Sequence, residues 1–207
     1  MEGLLTLPPG ARALYVCAHG AGTGMRHPFL AGVAGALAER GIGTFRYEFP
    51  YMEAGRKRVD PPRVATERVR EAVAEAARAA PGLPLVAGGK SFGGRMTSEA
   101  QAAEPLPGVV GLAFLGFPLH PPAEPGAARG RHLAKVDVPM LFLQGTRDDF
   151  ARLDLLEPLV AGLGPRATLA LVAGGDHSFA AKGRPSREVH AELADALAGW
   201  LQSSIGS

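Results

Sequence analysis

The pentapeptide Gly89-Lys90-Ser91-Phe92-Gly93 constrains the fold of this chain more than any other part of the sequence. A short apolar run over 85–87 precedes it and a segment of helical character follows. A Gly-x-Ser-x-Gly sequence between a strand and a helix is typical of a nucleophile elbow, a tight turn that exposes the serine hydroxyl. Glycine suits both flanking positions because larger side chains would collide in so tight a turn. The following helix N-terminus favours negative charge beside the hydroxyl.

Apolar runs of strand length alternate with segments of helical period along the chain. The predicted strands cover residues 4–7, 11–18, 42–49, 85–87, 109–115, 140–143 and 167–172. The predicted helices cover residues 28–40, 61–80, 92–104 and 153–163, with a final helix capped by Ser186. This alternation predicts an α/β fold in which a mainly parallel sheet of about six to seven strands is covered by helices on both faces. With 207 residues the chain is expected to form one domain, 1–207.

The segment 50–70 carries finer predictions. Residues 50–55 are predicted to form a loop. Asp60 is predicted to cap the next helix, with Pro61 in the first helical position. The helical period of that helix turns Val69 inward and Arg68 outward.

Charge, cysteine content and hydropathy exclude several function classes. The net charge is +2 and Arg56-Lys57-Arg58 is the only basic cluster, so we expect no nucleic-acid partner. The single cysteine, Cys17, excludes a disulfide within the chain and favours a reducing cytoplasm. We see no signal-peptide pattern and no apolar run near the roughly 18 residues of a membrane span, so we expect a cytoplasmic location and no membrane partner. The sequence leaves the oligomeric state open.

Ser91 needs a base, because an alcohol is a weak nucleophile at neutral pH. The histidines of the chain are His19, His27, His120, His132, His177 and His190. We predict His177 as the base because it follows the last predicted strand, where a loop can hold its ring over Ser91. The alternative is that His177 has only a structural role in a turn.

The base in turn needs a carboxylate that fixes its tautomer and stabilises the imidazolium. Asp148 follows the predicted strand 140–143 and is the preferred acid, while its neighbour Asp149 is a genuine rival. The predicted strand 109–115 has no acid close behind it. Ser91, Asp148 and His177 therefore form the predicted catalytic set.

A tetrahedral intermediate needs hydrogen-bond donors for its oxyanion. The N–H of Phe92, directly after the serine, is one predicted donor. The loop after the strand 11–18 is expected to supply the other, with Ala21 preferred and Gly22 second. The alternative reading of this glycine-rich loop is a plain tight turn.

Cofactor and metal motifs are weak. Gly20-x-Gly22-x-Gly24 lacks the full dinucleotide-binding spacing, and no acid ends the next strand to hold a ribose. His177 and the preceding Asp176 have no partner cluster with ligand spacing. We therefore predict no cofactor and no metal, and we expect Cys17 to pack in the core.

The chain resembles the α/β-hydrolase superfamily, and more narrowly the dienelactone-hydrolase-related group of testis-expressed protein 30 and NSL-complex subunit 3 type proteins. The resembling segments are Ala18–Phe29, Phe49–Gly55, Gly88–Arg95, Phe117–Pro122, Leu143–Asp148 and Gly175–Phe179. The resemblance implies the α/β-hydrolase fold and a serine hydrolase. Dienelactone hydrolases typically carry a cysteine nucleophile, where this chain has Ser91. Some relatives serve as interaction subunits, so the alternative function is a catalytically silent interaction module.

The interval 117–139 is too short for a helical cap domain, so we expect an open, shallow site. The predicted rim residues are Arg26, Tyr51, Met52, Phe92 and His120. An open cleft favours a small or medium carboxylic ester or thioester as substrate. The predicted function is a serine hydrolase that works through an acyl-enzyme.

Overall fold

A computed structural model describes residues 2–204 of the chain and contains one seven-stranded sheet. The strands are Gly3–Thr6 (β1), Ala13–Ala18 (β2), Ile42–Tyr47 (β3), Leu85–Lys90 (β4), Val109–Leu115 (β5), Met140–Gly145 (β6) and Ala167–Val172 (β7). Their order is β1-β3-β2-β4-β5-β6-β7, and every neighbouring pair is parallel except β1 with β3. The predicted mainly parallel sheet is confirmed.

Helices cover both faces of this sheet. They are Pro28–Ala38 (α1), Pro50–Glu53 (α2), Pro62–Ala79 (α3), Phe92–Ala103 (α4), Leu153–Gly162 (α5) and Ser186–Ser204 (α6), with 3₁₀ helices at Ala128–Lys135 and Gly164–Arg166. The apolar residues of α1 and α6 share one core cluster, and those of α3, α4 and α5 share the other.

Alternation along β2 shows how the sheet separates the two clusters. Leu14 and Val16 pack toward α3 and α4, whereas Tyr15 and Cys17 pack toward α1 and α6. Successive side chains of a strand point to opposite faces, so a strand buried on both sides is apolar throughout. Cys17 is 3% exposed and belongs to this packing, as predicted.

Three local predictions were wrong. Residues 50–53 form the short helix α2 instead of a loop. Helix α3 begins at Pro62 and its N-cap is Pro61, because the Asp60 carboxylate accepts hydrogen bonds from the Tyr51 N–H (2.9 Å) and the Arg56 guanidinium (2.8 Å) instead. Arg68 does not point into solvent: its side chain is 12% exposed and pairs with Glu53.

The carboxyl ends of the parallel strands lie at one edge of the sheet. The carboxyl ends of β2, β4, β6 and β7 lead into the segments that hold the predicted functional residues. The connection between β5 and β6 contains only a 3₁₀ helix, so the described residues carry no cap domain. Within residues 2–204, no helix has the length and apolarity needed to cross a bilayer.

Candidate active site

The turn at Ser91 has the strained backbone that a nucleophile elbow requires. Ser91 is the N-cap of α4 and has φ 49° and ψ −115°, a left-handed φ that is unusual for a residue other than glycine. A Cβ on Gly89 would lie 2.2 Å from the carbonyl oxygen of Ala18, and one on Gly93 would lie 2.6 Å from that of His19. Both glycines are therefore needed because the turn presses against the end of β2.

Ser91 and His177 are in direct contact although 86 residues separate them. The Nε2 atom of His177 lies 2.8 Å from Ser91 Oγ. On the other side of the ring, Nδ1 lies 2.8 and 2.9 Å from the two carboxylate oxygens of Asp148. A ring that donates its Nδ1–H to a carboxylate leaves Nε2 free to accept a proton. The three side chains predicted from the sequence thus form one hydrogen-bonded chain.

The structure distinguishes between the two candidate acids. Asp148 is 4% exposed and its carboxylate also accepts from Gln144 Nε2 at 2.5 Å and from the Phe150 N–H at 2.8 Å. Asp149 is exposed. Several donors hold such a buried carboxylate in a fixed position. Asp148 therefore has the environment of an orienting acid, and Asp149 does not.

The loops that hold Asp148 and His177 are joined through their main chains. The Arg147 N–H donates to the Gly175 carbonyl at 2.8 Å. A Cβ on Gly145 would lie 2.3 Å from the same carbonyl oxygen, so only glycine permits this approach. The Phe150 ring stacks on the His177 ring, with centroids 4.2 Å apart. These contacts restrict the imidazole to the position between Ser91 and Asp148.

The three predicted oxyanion donors differ in availability. The Gly22 N–H already donates to the Tyr51 hydroxyl at 2.8 Å. Among residues 2–204, no acceptor is hydrogen-bonded to the N–H of Ala21 or of Phe92. Ala21 lines the same cleft as Ser91. Ala21 and Phe92 are therefore the donors that remain free, whereas Gly22 is engaged.

His19, to which the sequence assigned no role, supports the loop that contains Ala21. Its ring is completely buried, donates from Nδ1 to the Gly20 carbonyl at 2.7 Å and accepts the Phe49 N–H at Nε2. Burial lowers the pKa of His19, and the Glu48 carboxylate, 3.0 Å from Nε2, opposes that shift. In the sequence, the only sign of this supporting role is that His19 directly follows a predicted strand.

A cleft of about 330 Å³ opens beside Ser91 and His177. Its walls are mainly apolar and include Ala21, Phe29, Leu30 and Phe150. The remaining lining residues are Gly20, Thr23, His27, Lys90 and Ser178.

The residues predicted for the rim do not line this cleft. Tyr51 and His120 are buried, at 0% and 2% exposed, which corrects the prediction for both. Arg26 lies at the surface and pairs with Glu2. Met52 and Phe92 pack against the core. Phe29 and Phe150 line the cleft instead. Residue type and position in the sequence did not distinguish them from the predicted rim residues.

A second serine–histidine contact exists away from the cleft. Ser98 Oγ lies 2.7 Å from His132 Nε2 and also donates to the Arg95 carbonyl. Ser98 is 0% exposed within α4, and neither residue lines the cleft. The contact ties the 3₁₀ helix Ala128–Lys135 to α4 and has no open space for a substrate. Among the described residues, no group of three or more His, Cys, Asp or Glu side chains could hold a metal ion.

Comparison with known proteins shows one family match and many structural likenesses. Residues 11–203 match the model of a family described as an alpha/beta hydrolase domain. An alpha-beta serine hydrolase homologue from Coxiella burnetii superposes with a TM-score of 0.77 at 19% identity, covering 94% of this chain and 90% of that one. A dienelactone hydrolase from Anabaena variabilis gives 0.73 at 20% identity, covering 98% and 91%. A serine hydrolase without a lid from Xanthomonas campestris gives 0.74 at 20% identity, covering 96% and 88%.

Proposed function

The chain belongs to the alpha/beta hydrolase domain family, and on that premise we propose that it is a serine hydrolase of small or medium carboxylic esters or thioesters. The superfamily predicted from the sequence is confirmed, whereas the narrower resemblance to testis-expressed protein 30 and NSL-complex subunit 3 type proteins stays a prediction. The observation that carries the proposal is the chain of hydrogen bonds from Ser91 through His177 to Asp148. The comparisons support the fold, and the site geometry supports the chemistry.

In the first half of the proposed reaction, Ser91 is acylated. His177 Nε2 takes the proton of Ser91 Oγ as the oxygen attacks the carbonyl carbon of the substrate. Asp148 stabilises the imidazolium that forms. The N–H groups of Phe92 and Ala21 donate to the oxyanion of the tetrahedral intermediate. The imidazolium then gives its proton to the departing alcohol or thiol, which leaves an acyl group on Ser91.

In the second half, water releases the acyl group. His177 takes a proton from the water molecule as its oxygen attacks the acyl carbon. A second tetrahedral intermediate uses the same donors, and its collapse returns the proton to Ser91 Oγ. The product acid leaves, and the enzyme regains its starting protonation state.

The cleft supports the choice of substrate size. A volume of about 330 Å³ with apolar walls suits a short acyl group. Phe29 and Leu30, at the start of α1, provide an apolar surface for such a group. The described residues include no cap domain that could enclose a long lipid chain.

A fluorophosphonate probe and a p-nitrophenyl ester test the proposal. We expect the wild-type protein to be labelled by the probe and to hydrolyse p-nitrophenyl acetate, and Ser91→Ala to lose both activities while unfolding at the same temperature. Ser98→Ala is the matched control, because it removes the other serine that contacts a histidine. Equal labelling of wild type and Ser91→Ala, or none in the folded wild-type protein, contradicts the proposal; the second result favours an interaction module. A series of acyl esters and thioesters of increasing length then defines the acyl group.

The proposal extends to the setting of the enzyme. We propose that one domain carries the whole activity and that it works in the cytoplasm, since the free thiol of Cys17 needs no oxidising compartment. Cell fractionation with an antibody to the protein tests the location.

A further inference from the structure

Lys90 is a charged residue that the proposed reaction does not use. It is the last residue of β4 and directly precedes Ser91. Its side chain passes beside Gly20, where an added Cβ would lie 3.3 Å from Lys90 Cγ. Its Nζ donates a hydrogen bond to the main-chain carbonyl of His177 at 2.6 Å. One side chain therefore joins the neighbour of the predicted nucleophile to the main chain of the predicted base.

The turn that contains His177 is held by its own hydrogen bonds and by its contacts with the loop after β6. The Asp176 carboxylate accepts from the Ser178 and Ala180 N–H groups at 2.7 and 2.9 Å. Phe179 has φ 63°, a left-handed value that is a strained conformation for a bulky residue. These local bonds fix the shape of the turn but not its position relative to Ser91. The contacts with the loop after β6 position the turn relative to Asp148, and a contact with β4 is needed to position its main chain relative to the elbow.

Lys90 and Phe179 supply such a contact on the inner side of the turn. Lys90 Nζ lies 5.6 Å from the centroid of the Phe179 ring, within the range of a cation–π interaction. The Phe179 ring stacks on Phe29 of α1, with centroids 5.5 Å apart and planes 4° from parallel. The ammonium group thus lies between the His177 carbonyl and a ring that is anchored to a helix.

Burying this ammonium group is unfavourable for folding. Burial lowers the pKa of Lys90 to about 8, and the nearby carboxylates of Asp148 and Asp176 only partly oppose that effect. Lys90 Nζ and Asp148 Oδ2 approach the same face of Gly116, at 3.1 and 3.5 Å from the place where a Cβ would lie. An apolar side chain of similar length would fill the space without the desolvation cost. A stability role alone therefore does not account for a lysine here.

We propose that Lys90 is a positioning residue that holds the His177 main chain, and so the imidazole ring, at hydrogen-bonding distance from Ser91. The inference rests on the proposed function, because His177 must act as the base. Asp148 and Phe150 hold the ring of His177, and Lys90 holds its main-chain carbonyl. Without the Lys90 contact the turn can shift against the elbow, and displacements of about 1 Å cost on the order of 10²-fold in rate.

Lys90→Met tests this role, with Lys182→Met as the matched control. Lys182 is an exposed lysine five residues after His177. For Lys90→Met we expect kcat for p-nitrophenyl acetate to fall about 10- to 100-fold, KM to change less than twofold, and the unfolding temperature at pH 7 to stay at or above that of wild type. Lys182→Met should match wild type in all three. The unchanged KM separates positioning from substrate binding, and the retained stability separates it from a structural defect.

A chemical rescue tests the donor group itself. Lys90→Cys treated with 2-bromoethylamine carries a side chain that is a lysine with sulfur in place of one methylene. We expect the treatment to restore most of kcat, while the same treatment leaves wild type unchanged because Cys17 is buried.

Three results would overturn the inference: wild-type kcat in Lys90→Met, a raised KM with unchanged kcat, or no rescue of the treated Lys90→Cys protein. If Ser91→Ala is inactive while any of these is observed, only the role of Lys90 fails. If Ser91→Ala retains full turnover, the proposed function fails.

Discussion

Gly89→Ala is the substitution whose effect follows most directly from the structure. Gly89 has φ 142°, a conformation that L side chains rarely adopt. The added Cβ would lie 2.2, 2.7 and 2.8 Å from main-chain atoms of Ala18 in β2. Because those atoms belong to the neighbouring strand, no side chain can rotate away to make room. Either β4 separates from β2 or the turn before Ser91 changes shape.

Two costs add to give the expected loss of stability. Strained backbone at a position of this kind costs on the order of 1–3 kcal/mol. Overpacking against a fixed neighbour costs roughly another 1–3 kcal/mol. The sum is about 4 kcal/mol at the midpoints, a large part of the 5–15 kcal/mol that stabilises a typical domain. For a chain of this size it lowers the unfolding temperature by about 12 °C, at about 3 °C for each kcal/mol.

Thermal unfolding followed by circular dichroism measures this effect. Gly35→Ala in α1 is the first control, because no atom outside the adjoining backbone of its own helix lies within 4 Å of the added Cβ. The better helix propensity of alanine should raise the unfolding temperature by about 3 °C. Gly10→Ala is the second control, because Gly10 has φ 67° and open space around it, so only backbone strain of about 1 kcal/mol remains. If Gly89→Ala unfolds within 2 °C of Gly10→Ala, the argument from close approach to β2 is refuted.

Three further predictions concern the site. Asp148→Asn should lower kcat for p-nitrophenyl acetate about 10⁴-fold because His177 would take the wrong tautomer; Asp149→Asn should stay within twofold of wild type, and a larger effect at Asp149 would reverse the assignment. Tyr51→Phe removes the acceptor of the Gly22 N–H and should cost about 1–3 kcal/mol in chemical denaturation; an unchanged midpoint would show that this bond adds nothing. The pKa of Lys90 is about 8, below its ordinary 10.5. Between these pH values the unfolded chain therefore binds more protons than the folded protein. The free energy of unfolding of wild type should rise by up to about 3 kcal/mol as the pH rises through this range. Lys90→Met should lack that gain, and parallel pH–stability curves for the two proteins would contradict the lowered pKa.

The fold was predictable from the sequence because its signals are local and repeated. The strands Val109–Leu115 and Ala167–Val172 match their predicted bounds. The first lies between Gly108 and Gly116, and Gly174 follows the second after one residue. The two glycines of the elbow were also predicted from a steric argument, although the atoms they avoid belong to Ala18 and His19 at the end of β2 and not to the turn itself. The period and length of apolar runs and the positions of glycines can be read from a single sequence.

The finer parts of the site depend on contacts that no sequence pattern contains. Asp148 and Asp149 are adjacent, and only the folded loop turns the first inward. The elbow motif gives Lys90 no role, and the His177 carbonyl that it contacts lies 87 residues further along the chain. The contact of Ser91, His177 and Asp148 agrees with the prediction, while their catalytic roles remain a prediction until the variants are assayed.

The distribution of backbone strain argues for catalysis over a purely structural use of this fold. In the part of the chain that the structure describes, Ser91 and Phe179 are the only residues other than glycine with positive φ. One is the predicted nucleophile and the other lies two residues after the predicted base. A binding module would gain stability from glycine at either position, since glycine adopts such angles without strain. Both strained turns instead contact Lys90, through the peptide bond to Ser91 and through the Phe179 ring. The two strained turns thus meet at the Lys90 ammonium group. Such strain is expected where the distance between the Ser91 hydroxyl and the His177 imidazole must be held constant.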